Sequence, residues 1–332
     1  MHASPLISVI VPSFNHGRFL SEALGSVATS LPVEIIVVDD GSTDETSDVL
    51  AAVETPHGFR TIRQANAGLA HARNRGLRES HGEYVVFLDA DDRFAPGALD
   101  VAAAALDEHP ECAFVFGRCT MMDRDGTLLT TPAQPRIARD HYRELLRRNY
   151  IWMPAVVMFR REAIERAGGF NPNVNAAADY ELYLHIARHH PVHDHGTVVA
   201  HYRRHESNMS GNAGRMLRET LEVLWSQRPF LEGDPASLAA YREGWHLWRE
   251  FYGTQLADEI RGDVRAREWS AALSKAAVLA EYHPRGLWHH LVRKAGRILQ
   301  RIEPEERSPL LTPVAQDFSP AAAAGGTRKS RR

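Results

Sequence analysis

Asp89-Ala90-Asp91-Asp92 sets three carboxylates in four positions. Charges that close repel one another unless a cation lies between them. Hard divalent ions such as Mg²⁺ and Mn²⁺ take oxygen ligands and are usually held by one or two carboxylates together with substrate phosphates. The acids follow Tyr84-Val85-Val86-Phe87-Leu88 directly, an apolar, β-branched and aromatic run that reads as a short buried strand. Acid at the end of such a strand points to a metal ion and a phosphorylated ligand. The plainer alternative is a solvated acidic turn.

Two other strand ends bear on that choice, because ligands of open parallel sheets bind beyond the carboxyl ends of the strands. Ile7 to Pro12 reads as a buried strand and runs into Pro12-Ser13-Phe14-Asn15, where Phe14 can stack on a base. Glu34 to Asp39 is the next strand and runs into Asp39-Asp40-Gly41-Ser42, where a carboxylate can accept a hydrogen bond from a uracil or thymine imide N–H. Singly, Phe14 is a core residue and Asp40 a turn residue. Three such ends in succession argue for a nucleotide site.

The elements that must position these groups alternate along the chain. Gly17 to Thr29 reads as a helix, and Ser42 or Thr43 caps another through about Glu54, with Ser42-x-x-Glu45 fitting a capping box. Leu69 to Ser80 and the alanine-rich Pro96 to Glu108 are helical. Further strands are expected at Ala113 to Gly117, Ala155 to Arg160 and Thr197 to Tyr202, with a helix from about Asp179 to His189. Strands separated by helices of this length predict an α/β fold with a single Rossmann-like, mostly parallel sheet. Residues 1–214 form the expected catalytic domain, 215–302 a C-terminal helical extension, and 303–332, rich in Pro, Ala, Gly and charge, a tail without fixed structure.

Composition narrows the class. The 332 residues are 44% apolar and 24% charged, ordinary for a globular protein. A net charge of −3 leaves no nucleic-acid footprint. Cys112 and Cys119 flank a strand-like segment and read as buried thiols of a reducing compartment. Met1 to Pro5 is short and polar, unlike a secretory leader, and no apolar run nears the ~18 residues of a membrane span. These features predict a cytoplasmic protein. Residues 285–302 form a basic amphipathic pattern that either packs on the protein or makes peripheral contact with an anionic membrane surface.

In this order, Ser8-Val9-Ile10-Val11-Pro12-Ser13-Phe14-Asn15, Glu34-Ile35-Ile36-Val37-Val38-Asp39-Asp40-Gly41-Ser42-Thr43-Asp44, Asn66-Ala67-Gly68-Leu69-Ala70-His71-Ala72-Arg73-Asn74 and the Asp89 to Asp92 cluster resemble the family 2 glycosyltransferases over residues 6–210. The resemblance implies a glycosyltransferase A-type fold, a nucleotide-sugar donor, Mg²⁺ or Mn²⁺, a glycan or lipid-linked saccharide acceptor, and inversion at the anomeric carbon. By the same resemblance Pro12 and Phe14 line the base pocket, Asp40 rather than Asp39 binds the base, and Arg73 reaches the nucleotide or diphosphate. Asp91 is the metal ligand, Asp89 lies toward ribose or metal-bound water, and Asp92 assists.

Inversion requires a base across the sugar from the leaving group, to take the proton of the acceptor hydroxyl. Asn175-Ala176-Ala177-Ala178-Asp179-Tyr180-Glu181 resembles the family's second acidic motif, with Asp179 at the base position and Ala178 where Glu is common. A helix start there favours the ionised form, while Asp as a simple N-cap is the plain reading. Gly168-Gly169-Phe170 resembles the turn that shapes the acceptor side, and Trp152 offers an aromatic face to a sugar or a core side chain. Tyr202-Arg203-Arg204-His205 resembles the segment that closes over the diphosphate, with His205 completing the metal shell and Arg203 or Arg204 meeting phosphate. A zinc site on His193-x-His195 lacks the cysteine or helical His pair it would need. Two rivals stand beside the transferase: a sugar nucleotidyltransferase, which usually carries a glycine-rich basic loop where Pro12 to Arg18 stands, and a non-catalytic nucleotide- or glycan-binding module, which the missing Glu at Ala178 favours.

Overall fold

The computed structural model describes residues 6–283. The amphipathic segment 285–302 and the tail 303–332 lie outside the described residues. The first half interleaves β1 (Ile7–Ser13), α1 (Gly17–Gly25), β2 (Val33–Asp39), α2 (Thr46–Ala52), β3 (Arg60–Arg63), α3 (Leu69–Glu79), β4 (Tyr84–Phe87), β5 (Arg93–Phe94), α4 (Ala98–Glu108) and β6 (Phe114–Met122). There follow α5 (His141–Arg147), β7 (Val157–Arg160), α6 (Arg161–Arg166), α7 (Ala178–Ala187) and β8 (Val192–Arg203), then a helical extension of α8 (Ala213–Gln227), α9 (Pro235–Ala266) and α10 (Trp269–Tyr282).

The strands form one eight-stranded sheet in the order β3-β2-β1-β4-β7-β6-β8-β5. Its β3-β2-β1-β4 half is parallel, β7 runs against both of its neighbours, and β6 and β8 are parallel to each other. All seven residues of β1 are buried, as a central strand covered on both faces requires. Helix α3 lies so close to the sheet that a Cβ on Gly76 would come within 2.3 Å of Ile10 Cγ2. The extension is continuous with this core: Leu217, Leu221, Leu224 and Leu256 are fully buried within it. Among the described residues no helix is long and apolar enough to cross a membrane.

Around the first two helices the structure departs from the sequence expectation. Helix α1 ends at Gly25, not Thr29, and α2 starts at Thr46. The expected capping box is absent because Ser42 is used elsewhere: its Oγ accepts from the Asn15 N–H at 3.0 Å. Asp44 takes over, accepting from the N–H and hydroxyl of Thr46 and from the N–H of Gly17.

Candidate active site

The carboxyl ends of β1, β2 and β4 open into a cavity of about 690 Å³. Its walls bring together Pro12, Phe14, Asp40, Arg73, Asp89, Asp91, Trp152 and Asp179, drawn from segments up to 167 residues apart in sequence. The loop after β1 owes its shape to Asn15, which sits at φ 57°, a left-handed conformation that Asn tolerates better than most residues. Its side chain accepts from the Thr43 N–H at 2.8 Å, tying the β1 loop to the β2 loop. Phe14 is thereby left 43% exposed over the cavity.

Asp40 lies in the cavity wall, but its carboxylate is already engaged. It accepts from Gln64 Nε2 at 2.7 Å and from the N–H groups of Ala67 and Gly68 at 2.9 and 2.8 Å. The neighbouring Gly41 sits at φ 79°, and a Cβ there would lie only 2.9 Å from the Asn66 nitrogen, too close for any side chain.

The three acids after β4 face different partners. Asp89 receives both its oxygens' hydrogen bonds from Arg73 Nη2, at 2.7 and 3.0 Å. Arg73 is buried and lies over the Phe170 ring at 5.0 Å, so it positions Asp89 rather than reaching freely outward. Asp91 Oδ2 is 2.8 Å from His205 Nε2, whose other ring nitrogen meets Ser207 Oγ at 2.8 Å. Burial pushes Asp91 up, but that hydrogen bond and the imidazoles of His16 and His205 outweigh it and leave its pKa below the ordinary value. Burial first, and then the neighbouring charges of Asp91 and Asp89, hold the Asp92 carboxyl well above the usual range.

Ligand atoms of His16, Asp91 and His205 lie within 4.8 Å of one another. One carboxylate and two imidazoles, the far nitrogen of His205 anchored by a hydroxyl, form a donor set that fits a divalent cation. The carboxylate suits Mg²⁺ and Mn²⁺ alike, whereas the imidazoles favour the transition metal. His16 escaped the sequence reading. Its only signal was its place three residues after Ser13 in the β1 loop.

Asp179 enters the cavity from the first turn of α7, of which it is the second residue, not the N-cap. Burial raises its pKa from 3.8 to about 6, against the pull of Arg73. Burial thus outweighs the helix dipole that the sequence suggested would keep it low. The N–H groups before α7 are held from outside: Glu219 Oε2 of α8 accepts from Asn175, Ala176 and Ala177. That contact fixes the loop leading into α7, whose first residue, Ala178, stands where Glu was expected.

Arg203 does not line the cavity. It is fully buried, donating to the Asp91 and Arg124 carbonyls at 2.7 Å each and to Glu22 at 2.8 Å. Its own N–H binds Asp92 at 2.8 Å. It braces the acidic turn from below, and the phosphate role expected for it is corrected accordingly. The exposed cation in the wall is Arg215, in the first turn of α8, one residue past the expected domain boundary. In the Gly168-Gly169-Phe170 turn, Phe170 is buried against Phe87 with ring centroids 4.8 Å apart, while its backbone exchanges two hydrogen bonds with the Asn74 amide. His193, in the zinc alternative, stacks on His109 with ring centroids 3.8 Å apart. Cys112 and Cys119 are free and buried.

An α/β sheet of this order, with an acidic turn beyond its strand ends and Asp179 in the same cavity, is a transferase fold of the glycosyltransferase A type. The chain belongs to glycosyl transferase family 2, whose sequence model matches residues 8–168. It is 30% identical over 222 residues to the putative teichuronic acid biosynthesis glycosyltransferase TuaG of Bacillus subtilis, covering 65% of this chain and 86% of that protein. The chain spans 62% and 54% of the length of two uncharacterized glycosyltransferases, from Haemophilus influenzae and Nostoc, that it matches at 30% and 32% identity. Its fold is similar to that of S. aureus TarS 1–349 in complex with UDP-GlcNAc, with a TM-score of 0.60 at 18% identity over 84% of this chain and 82% of that one. It is also similar to that of the mannosyltransferase PcManGT from Pyrobaculum calidifontis in complex with GDP-Man and Mn²⁺, with a TM-score of 0.56 at 22% identity over 90% and 82% of the two chains.

Proposed function

We propose that this chain is an inverting, metal-dependent glycosyltransferase. It moves a sugar from a nucleoside diphosphate sugar, of the UDP or dTDP type, to a hydroxyl of a glycan or lipid-linked saccharide in the cytoplasm. The observation that carries the reading is that Asp179 and the Asp89 to Asp92 turn share one cavity. Its volume falls within the ordinary range for small-molecule sites.

The base stacks on Phe14 beside Pro12, and the Asp40 network sets the loop that meets it. Asp89, fixed by Arg73, lies toward the ribose. Asp91 with His205 and His16 would hold a divalent cation, which supplies charge neutralisation to the departing diphosphate. Arg215 adds a cation from the opposite wall. Trp152 offers a ring to a sugar face. Asp179 takes the proton of the acceptor hydroxyl as its oxygen attacks, and a pKa near 6 keeps it ionised at neutral pH yet basic enough to serve.

Asp179→Asn tests the assignment. Donor binding is expected to persist while transfer to acceptor is lost. Undiminished transfer by that variant would remove the base, and with it the inverting mechanism.

A further inference from the structure

Past Asp179 the main cavity gives onto a second of about 80 Å³, set between the sheet and the helical extension. Trp152, Asp179 and Tyr202 line both. Met216 and Thr220 of α8 and Trp248 and Tyr252 of α9 line only the small one, while Phe14, Asp40 and the acidic turn line only the large one. A group seated in the small pocket thus lies beside Asp179 and clear of the residues assigned to the base and diphosphate, where an acceptor presenting its hydroxyl to Asp179 would place it.

Size decides what enters. A cavity of ~150 Å³ holds a benzene ring. The 80 Å³ here thus admits about three heavy atoms: a ring substituent, not a pyranose. Chemistry narrows it further. Trp248 and Tyr252 stack at 5.4 Å and 14°, and with Met216 they make an apolar wall suited to a methyl group. Asn149 spends its Oδ1 on the Ile151 N–H at 3.1 Å, so its Nδ2 is the donor it can offer to a carbonyl. A methyl and a carbonyl on one carbon make an acetyl group. We infer that this pocket receives the acetamido group of an N-acetylated acceptor sugar and selects acceptors that carry one. The inference rests on the reading of Asp179 as the base.

The test uses the full chain with UDP and Mn²⁺ present, and N-acetylglucosamine, N-acetylgalactosamine, glucose and galactose as probes in saturation-transfer NMR. The acetyl methyl protons are expected to be the most strongly saturated, and the unacetylated sugars to bind at least about tenfold more weakly. Met216→Phe, which fills the pocket, is expected to erase that preference. Asn149→Ala, which leaves the apolar wall in place, is expected to weaken N-acetylglucosamine binding about threefold to tenfold. Equal binding of glucose and N-acetylglucosamine, absence of methyl saturation, or an undiminished preference in both variants would overturn the inference. A UDP titration of the same sample separates the two readings. UDP binding without acetyl selectivity sinks this pocket alone, whereas failure to bind UDP sinks the donor assignment.

Discussion

As the proposed base, Asp179 must be an anion in a place that disfavours anions. Burial lifts its carboxyl to about 6, and Arg73 only partly restores the charged form. Two outcomes follow at this residue. The rate of transfer depends on the ionised base, so it should fall about tenfold per pH unit below ~6 and level off above; a profile flat from pH 5 to 8 would remove Asp179 as the titrating group. Stability runs the other way. A carboxyl whose pKa rises on folding is favourable while protonated and costs stability as pH climbs from its unfolded value through 6. Asp179→Asn keeps an acceptor for the Tyr180 N–H and removes that cost. The variant should be more stable than the parent at pH 8, by on the order of 1–2 kcal/mol after screening in an open cavity, with the gain vanishing toward pH 4. Arg203 makes a contrasting case. Its truncation to Met strands the Asp91 carbonyl and Glu22, and should cost about 1–3 kcal/mol. Urea denaturation reads that loss, and an unchanged midpoint would mean that the acidic turn does not need its brace.

At the scale of elements, the link that sequence reasoning could not see is the one from α8 to α7. Glu219 lies 40 residues beyond Asp179, on a helix whose pattern signals only an apolar face, yet it holds three N–H groups at the head of α7. Glu219→Ala should lower kcat at least tenfold because it loosens the base, and it also releases Arg215, whose Nε lies 3.6 Å from Glu219 Oε1. Glu219→Gln, which keeps an acceptor oxygen, should recover part of the loss; equal kcat in all three proteins would show that α7 needs no anchor. What was legible follows the same physics. β1, β2, β4 and α3 announce themselves by long apolar runs and strong periodicity. β3 is a four-residue, largely exposed edge strand, and β5 has two residues, too few for any period to register. β6 was expected to stop at Gly117, but glycine there admits the close approach of β8, where a Cβ would meet the Thr197 carbonyl at 2.4 Å, and the strand runs on to Met122.

Across the whole molecule, one sheet supplies the floor of the site and the helical extension closes its side. A division at residue 214 follows the change in sequence pattern, but Arg215 of the extension lines the same cavity as Asp40. Long-range closure of this kind brings His16, Asp91 and His205 together from the β1 loop, the β4 end and the segment after β8. Only two of the three carry a motif. A cation that binds the folded cluster and not the dispersed ligands of the unfolded chain stabilises the fold by mass action, by about 2.7 kcal/mol at a hundred times its dissociation constant. At about 2.1 cal/mol/K of unfolding entropy per residue, a body of about 280 residues would rise in Tm by roughly 4–5 °C. Mn²⁺ added with UDP should produce such a rise, a chelator should reverse it, and Asp91→Asn should abolish it while still folding. His16→Ala should reduce the shift without removing it, since Asp91 and His205 remain. A parent protein whose melting is indifferent to Mn²⁺ in the presence of UDP would mean that the acidic turn holds no cation.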